Sequence, residues 1–371
     1  MPYIDLHTKP FDSGTIAKLE IFEDYAKAWL PTFVMAGLPE IHVFDLFSGP
    51  GYDCREVPGS PIRILQKIND YLGYFFQKGT KITLHVNEFE RGKRTQEKFE
   101  MLKKNCEDFL ITNPRLRHFL TISYHNEDTE TLFFKLLPTI RKYPSLVYID
   151  QNGIKFIAHQ YISELEKLRT TDFLYFVSSS YFKRLGGTKE FRKVLAFDLD
   201  ELAEEKQNNM HRLVAGKIKE ILPPSTDLKL FPFSIKKGPN IYGIIFGAKH
   251  YLAVDKFLAI AWERNKLNGE ADFDIDDDTY KSGYDLFGRK GITKIEKFQS
   301  DLKQRLCSGE IRNNREALIY TYQCGHIPEH AKEVARKLRK EQILIYSGKT
   351  PGINYDNVFK KQNIVNYKIQ N

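Results

Sequence analysis

Val43-Phe44-Asp45-Leu46-Phe47-Ser48-Gly49-Pro50-Gly51 carries an apolar strand into an acidic residue and then into a loop of small side chains. This order predicts the first strand and turn of a Rossmann-like sheet. Gly49 and Gly51 accept positive φ and remove bulk where open α/β sheets hold nucleotides. The spacing is not G-x-G-x-x-G. Pro50 and the run Tyr52-Asp53-Cys54-Arg55-Glu56-Val57 delay the next helix, so no helix N-terminus stands directly behind the turn to take a pyrophosphate. A nucleoside ligand without phosphates, such as S-adenosylmethionine, suits the loop better. Asp45, Phe47, Ser48, Gly49 and Gly51 are the candidates for lining it. The competing account is an ordinary strand and tight turn, since short glycine patterns recur by chance.

Ile16, Leu19, Phe22, Tyr25, Ala26, Trp29 and Leu30 fall at helical spacing across Thr15–Leu30, with Pro31 as the expected stop. Strand one is Ile41–Leu46, and Ser60 is the expected N-cap, with Pro61 as first residue, of a helix through about Phe76. Strands Lys81–Asn87, Phe119–Tyr124, Leu146–Ile149 and Asp172–Val177 alternate with helices Glu90–Phe109, Thr129–Lys142 and Ile157–Arg169. Such alternation implies a parallel sheet with right-handed crossovers. A largely helical insertion at about 189–222 intervenes. Leu228–Ile235 and Ile241–Ala248 then return as a close pair, which fits a class I methyltransferase sheet closing on an antiparallel strand. Leu252–Asn265 follows as a helix with Phe257 and Trp262 in its core face. Glu270, Asp272, Asp274, Asp276, Asp277 and Asp278 alternate in part with Ala271, Phe273 and Ile275. A half-buried strand and polar linker is expected there rather than a calcium loop, whose glycine and distal glutamate are missing.

With 371 residues, 42% hydrophobic and 28% charged, the chain has material for two globular domains and no composition of disorder. No stretch approaches the roughly 18 apolar residues of a membrane span, and Met1-Pro2-Tyr3-Ile4-Asp5-Leu6-His7 lacks the basic start and apolar middle of a signal peptide. A cytoplasmic protein with no membrane partner is expected. Cys54, Cys106, Cys307 and Cys324 are scattered singly, without metal-ligand spacing, as reduced thiols would be, and no metal site is expected.

The +8 net charge is uneven: from Arg289 onward 17 Lys+Arg face 8 Asp+Glu, net +9, which leaves −1 for the rest. A division into residues 1–288, a Rossmann-like methyltransferase-type domain, and 289–371 follows. The tail reads as helices Lys294–Leu306, Asn314–Gln323 and Pro328–Glu341, then strand Gln342–Tyr346, a turn from Gly348 to Gly352, and strand Asn363–Ile369. That is a winged-helix outline. On its third helix Lys332, Arg336, Lys337, Arg339 and Lys340 stay off the apolar stripe of Ala331, Val334, Ala335 and Leu338, as a helix meeting phosphates of DNA or RNA requires. Such a module can also hold proteins together.

Three strand ends offer further candidates. Glu88 follows strand two, where a carboxylate can accept from both ribose hydroxyls, or favour a helix N-terminus. Asn126 and Glu127, with Asp128, offer polar groups to an adenine edge or cap the helix from Thr129. Asp150, Gln151 and Asn152 close strand four, where an acid and two amides can hold an amino group of a flipped base, or form an Asx turn.

The chain resembles the three-Cys-motif partner (TcmP) family. The likeness rests on Lys18…Phe22…Tyr25…Trp29-Leu30, the Asp45–Gly51 loop with Gly59-Ser60-Pro61, Tyr242-Gly243-Ile244-Ile245-Phe246 with His250, Trp262, Gly269-Glu270-Ala271-Asp272-Phe273-Asp274-Ile275, and Thr321…Gly325…Pro328…His330-Ala331…Leu338. It covers nearly the full length. The resemblance implies a methyltransferase-like domain with a C-terminal winged helix, a radical-SAM-like three-cysteine partner, and bacterial phage-defence gene neighbourhoods. Family members look like Asp-Pro-Phe/Tyr-Gly at the end of strand four, whereas Gln151 and Asn152 stand here in place of the proline and aromatic. Two functions are expected to compete: a nucleic-acid methyltransferase, and a degenerate methyltransferase fold serving as a nucleic-acid-binding scaffold or sensor.

Overall fold

Strands β1 (Glu40–Asp45), β2 (Lys81–Asn87), β3 (Leu120–His125), β4 (Ser145–Ile149), β5 (Thr171–Ser178), β6 (Lys229–Lys237) and β7 (Asn240–Ala248) form one sheet in the order β3-β2-β1-β4-β5-β7-β6. The first five are parallel, and β7 runs antiparallel to both β5 and β6. This is a Rossmann-like sheet with methyltransferase strand order. The computed structural model describes residues 9–89, 95–151, 159–178, 209–238, 240–283 and 290–370. Two units separate by their internal packing, Met1–Lys249 and His250–Asn371.

Burial explains the order. β4 is buried along its whole length and β1 at all but its first residue, as central parallel strands covered on both faces must be. β6 carries Pro232 and lies at the sheet edge, where a missing N–H costs no ladder bond. On β7, Gly243 leaves room for the His211 ring: a Cβ there would lie 2.3 Å from it. That imidazole is fully buried between Ser234 Oγ (3.1 Å) and the Val177 carbonyl (3.0 Å), and burial lowers its pKa to about 4.

Helices α1 (Ser13–Met35), α2 (Ser60–Asp70), α3 (Leu72–Lys78), α4 (Thr95–Thr112), α5 (Thr129–Lys142), α6 (His159–Lys167) and α7 (Met210–Ile221) belong to this unit. α5 starts on the Asp128 cap, whose carboxylate accepts from Glu130 N at 3.0 Å. Leu132, Phe133 and Ile140 of α5, with Tyr161 and Leu165 of α6, share one core with Phe44 and Val147. α1 does not stop at Pro31 but runs four residues further. The missing Pro31 N–H would have bonded the Lys27 carbonyl four residues back, and the Tyr71 hydroxyl donates to that carbonyl instead, at 2.9 Å. The helix expected through Phe76 is broken at Tyr71 into α2 and α3. Its cap is Gly59 rather than Ser60, whose hydroxyl is used by Asp45. Of the insertion at 189–222, α7 supplies the last part, and residues 189–208 lie outside the described residues.

Across β1, β2 and β3 runs a row of imidazoles. His42 Nδ1 and His85 Nε2 are 3.0 Å apart, and His85 Nδ1 and His125 Nε2 are 3.2 Å apart. His42 Nε2 lies 3.1 Å from Glu40 Oε1. A carboxylate only accepts, so neutral rings satisfy the row when each donates one step toward Glu40. Burial lowers all three pKa values, that of His85 to about 3 with help from the neighbouring rings.

The second unit holds α8 (Tyr251–Arg264), α9 (Asp278–Lys281), α10 (Lys294–Cys307), α11 (Asn314–Gln323), α12 (Pro328–Lys340) and the ribbon β8 (Leu344–Tyr346) with β9 (Tyr367–Ile369). It begins at His250 rather than at 289, because α8 is packed into it. Trp262 Nε1 donates to the Gly325 carbonyl at 2.9 Å, and the Tyr322 hydroxyl donates to Asp255 at 2.6 Å. Glu270–Asp278 turns instead of extending as a strand. The Asn265 and Asn268 amides hold the Phe273 carbonyl, and Asp274 accepts from the Asp278 and Thr279 N–H groups, both at 2.7 Å. Asn314, fully buried, ties the wing together by donating to the Gly352 and Asn363 carbonyls and accepting from Val365 N.

Candidate cofactor site and nucleic-acid interface

Strand order reverses between β1 and β4, so the crevice at their carboxyl ends is where this topology admits a ligand. β1 delivers Asp45 there, fully buried. Its Oδ2 accepts from the Ser60 hydroxyl at 2.6 Å, while Oδ1 has no hydrogen-bond partner among the described residues. Burial pushes its pKa up to about 7, helped by the nearby Asp150 charge and opposed by the Ser60 and Ser48 hydroxyls and the Phe47 N–H.

The loop after Asp45 is fixed by its neighbours. Ser48 N donates to the Asn87 carbonyl and its hydroxyl to the Asp45 carbonyl, both at 2.9 Å. Gly49, at φ +66°, donates its N–H to Glu88 Oε2 at 3.0 Å. Gly51 has φ +103°, and the Asn105 amide donates to the Pro50 carbonyl at 2.7 Å. Phe47 is half-buried against the core. The geometry thus brings Asp45, Ser48, Gly49 and Glu88 together, with Glu88 holding the loop that it was expected to face across a ligand.

At the end of β3, Asn126 donates to Gln96 Oε1 at 3.3 Å, and its own Oδ1 is buried without a partner among the described residues. The Glu127 carboxylate is turned to Lys135 at 2.7 Å. Its backbone is held by Asn87, whose amide also reaches the Leu46 carbonyl and the Thr129 hydroxyl. Asn87 therefore joins three loops, a role that no local pattern announces.

The strand-four group is internally engaged. Asp150 forms a salt bridge with Lys18, a 92%-buried lysine of α1 whose ammonium also sits 4.2 Å from the centre of the Phe176 ring. Gln151 is buried and donates to the Tyr175 hydroxyl at 2.9 Å. Asn152 lies outside the described residues. Tyr148 is stacked on Phe22 at 4.2 Å, and its fully buried hydroxyl, which feels the Asp150 and Asp45 charges, has no partner among the described residues. Lys18 was missed as a site residue. Its signal was a lysine on the same helical stripe as Phe22 and Tyr25.

In the winged unit, α12 buries Ala331, Val334, Ala335 and Leu338 and presents its cations outward, in unequal states. Glu329 pairs with Lys332 at 3.1 Å and Arg336 at 2.7 Å. Arg339 donates to the Gly348 carbonyl at 2.7 Å and stacks 4.4 Å over the Tyr346 ring, so it braces the wing. Lys337 and Lys340 are exposed with no partner among the described residues. Lys340 follows Arg339, which touches Gly348, and the wing turn itself carries the exposed Lys349.

Residues 273–351 match the family model of the GMT-like wHTH domain. No curated protein matches the chain. Among solved structures, the chain is similar to the O-methyltransferase TomG of Streptomyces achromogenes, involved in tomaymycin synthesis and crystallised with SAM, at 10% identity and a TM-score of 0.32 over 66% of this chain and 92% of that one. A Klebsiella pneumoniae protein assigned as an O-methyltransferase gives 10% and 0.32 over 64% and 90%. Strand order and strand directions define the fold without these similarities.

Proposed function

We propose that the first unit binds S-adenosylmethionine across the carboxyl ends of β1, β2 and β3, and that the protein is a methyltransferase-like component acting on nucleic acid. The observation that carries the cofactor is a pair of buried acceptors, Asp45 Oδ1 and Asn126 Oδ1, without donors among the described residues, at the edge where Glu88 closes the glycine loop. Such atoms are costly unless a ligand or water supplies a donor. S-adenosylmethionine brings an adenine amino group, two ribose hydroxyls and an α-amino group, so the donor types fit. Asn126 would take the adenine edge, Glu88 the ribose, and Asp45 with the loop from Phe47 to Gly51 the remainder. When bound, the ligand supplies an electrophilic methyl group on a sulfonium.

Nucleic acid is supported by the basic tail and the match to a wHTH model. Lys337, Lys340 and Lys349 are the cations best placed to meet phosphates, because Lys332, Arg336 and Arg339 already have internal partners. The resemblance to TcmP proteins extends the proposal to a bacterial defence system with a radical-SAM-like partner, for which co-purification is the direct test.

A second function, a nucleic-acid-binding scaffold or sensor without catalysis, is favoured by Asp150 being held by Lys18 and Gln151 by Tyr175. Neither side chain is then free to orient an incoming amino group. Calorimetry with S-adenosylmethionine and its demethylated product tests the cofactor, and Glu88→Ala should weaken binding by about 1–3 kcal/mol. Binding of neither compound overturns the cofactor assignment. Binding of both, with no methyl transferred to duplex DNA or structured RNA, selects the scaffold.

A further inference from the structure

The second unit contains an open groove of about 720 Å3 between α8, the start of α12 and the loop at Asn354–Asp356. Its size falls in the range of roughly 300–1,000 Å3 typical of ligand sites. Leu252, Ala259, Ile327 and Pro328 give it an apolar floor. Its charges are unbalanced: Asp255, Glu263, Glu329, Glu333 and Asp356 face only Lys266 and Lys332. Glu329 is neutralised by Lys332 and by Arg336, so the surplus sits with Asp255, Glu263, Glu333 and Asp356. Burial raises the Asp255 pKa, with the Asp356 charge adding to it and the Tyr322 hydroxyl, Lys256 and Lys332 opposing, and burial followed by the two carboxylates raises that of the Tyr355 hydroxyl. Negative potential is therefore concentrated beside an aromatic ring.

We infer that this groove receives an arginine-bearing peptide segment of a partner protein, which makes the winged unit a protein-docking module on this face. A guanidinium suits it better than a compact cation, because a planar fork can bridge carboxylates while its face stacks on Tyr355. The apolar floor takes the methylene stems and neighbouring side chains of such a segment. Phosphate backbones are excluded by the same carboxylates, so this face and the exposed Lys337, Lys340 and Lys349 have opposite ligands.

The test uses the full chain and a labelled hepta-arginine peptide, followed by fluorescence anisotropy at low salt. The peptide should bind. Glu263→Gln with Asp356→Asn, both exposed and with no side-chain bond among the described residues, should weaken it roughly tenfold or more, as expected for two charge-assisted contacts. Glu97→Gln with Glu100→Gln, an equal charge change on α4 of the first unit, should leave it within about twofold. The inference is overturned if hepta-arginine does not bind at about 100 µM, weaker than a specific anchor should be, or if the two double variants lose affinity equally.

Discussion

His85 should make the first unit sensitive to acid, by an amount that can be worked out. Its ring lies face to face with Phe44 at 4.3 Å and between His42 and His125, and burial with its neighbours lowers its pKa from 6.5 to about 3. In the unfolded chain it takes up a proton near pH 6.5, whereas the folded state refuses one until far lower pH. Stability attributable to this ring is thus complete above pH 6.5 and is lost as pH falls from there toward 3. Between pH 7 and pH 5 the loss is about 2 kcal/mol. Urea unfolding at these two pH values, monitored by Trp29 fluorescence and far-UV circular dichroism, should show that loss on top of the contributions of His42, His125 and His211. In His85→Gln the drop between pH 7 and pH 5 should shrink by about that amount, even though the variant is less stable at pH 7. If parent and variant lose the same stability between the two pH values, the imidazole row is charged in the folded state and the assigned neutral donor chain is wrong.

Asp45 has the opposite sign: its folded pKa of about 7 exceeds the ordinary 3.8, so its cost grows as pH rises from 3.8 to 7. Asp45→Asn should raise the melting temperature at pH 8, with up to about 4 kcal/mol recovered, and the gain should vanish near pH 4. Gly243→Ala drives a methyl group into the His211 ring and should destabilise the unit by more than about 2 kcal/mol in urea titrations. Lys337, Lys340 and Lys349 changed together to glutamine should flatten the salt dependence of duplex DNA binding, by roughly 0.9 per lost phosphate contact in a log–log plot. An unchanged slope places the contact elsewhere. Tyr71→Phe leaves the Lys27 carbonyl without its donor and should cost about 1 kcal/mol in thermal or urea unfolding.

Much of the fold was legible because its signals are local. β2, α5 and α11 follow the sequence to the residue: alternation gives the strand, and capping residues bound the helices. The failures involve partners far along the chain. Pro31 reads as a stop until Tyr71, forty residues on, covers the carbonyl it exposes. Ser60 reads as a cap until Asp45 claims its hydroxyl. The acidic stretch after Gly269 reads as a strand because alternation is blind to the asparagine amides that bend it. At the candidate site, the residue types at strand ends were visible, but their engagement was not. That Asp150 faces Lys18, and that Glu329 occupies Lys332 and Arg336, are facts of tertiary packing and helix-surface pairing that composition cannot express.

Asn87 has a consequence beyond its own bonds. One side chain touches the loop after β1 at Leu46, the turn after β3 at Glu127 and the head of α5 at Thr129, while its carbonyl receives Ser48. The segments at 46–48, 87 and 127–129, some forty residues apart in turn, therefore share a single geometric constraint. Drift at any one of them is tolerable only with compensation at the others. Among homologues, positions 46–48, 87 and 127–129 should change as a block, and a chimaera that transplants the glycine loop without its asparagine should inherit the sequence of the site but not its shape.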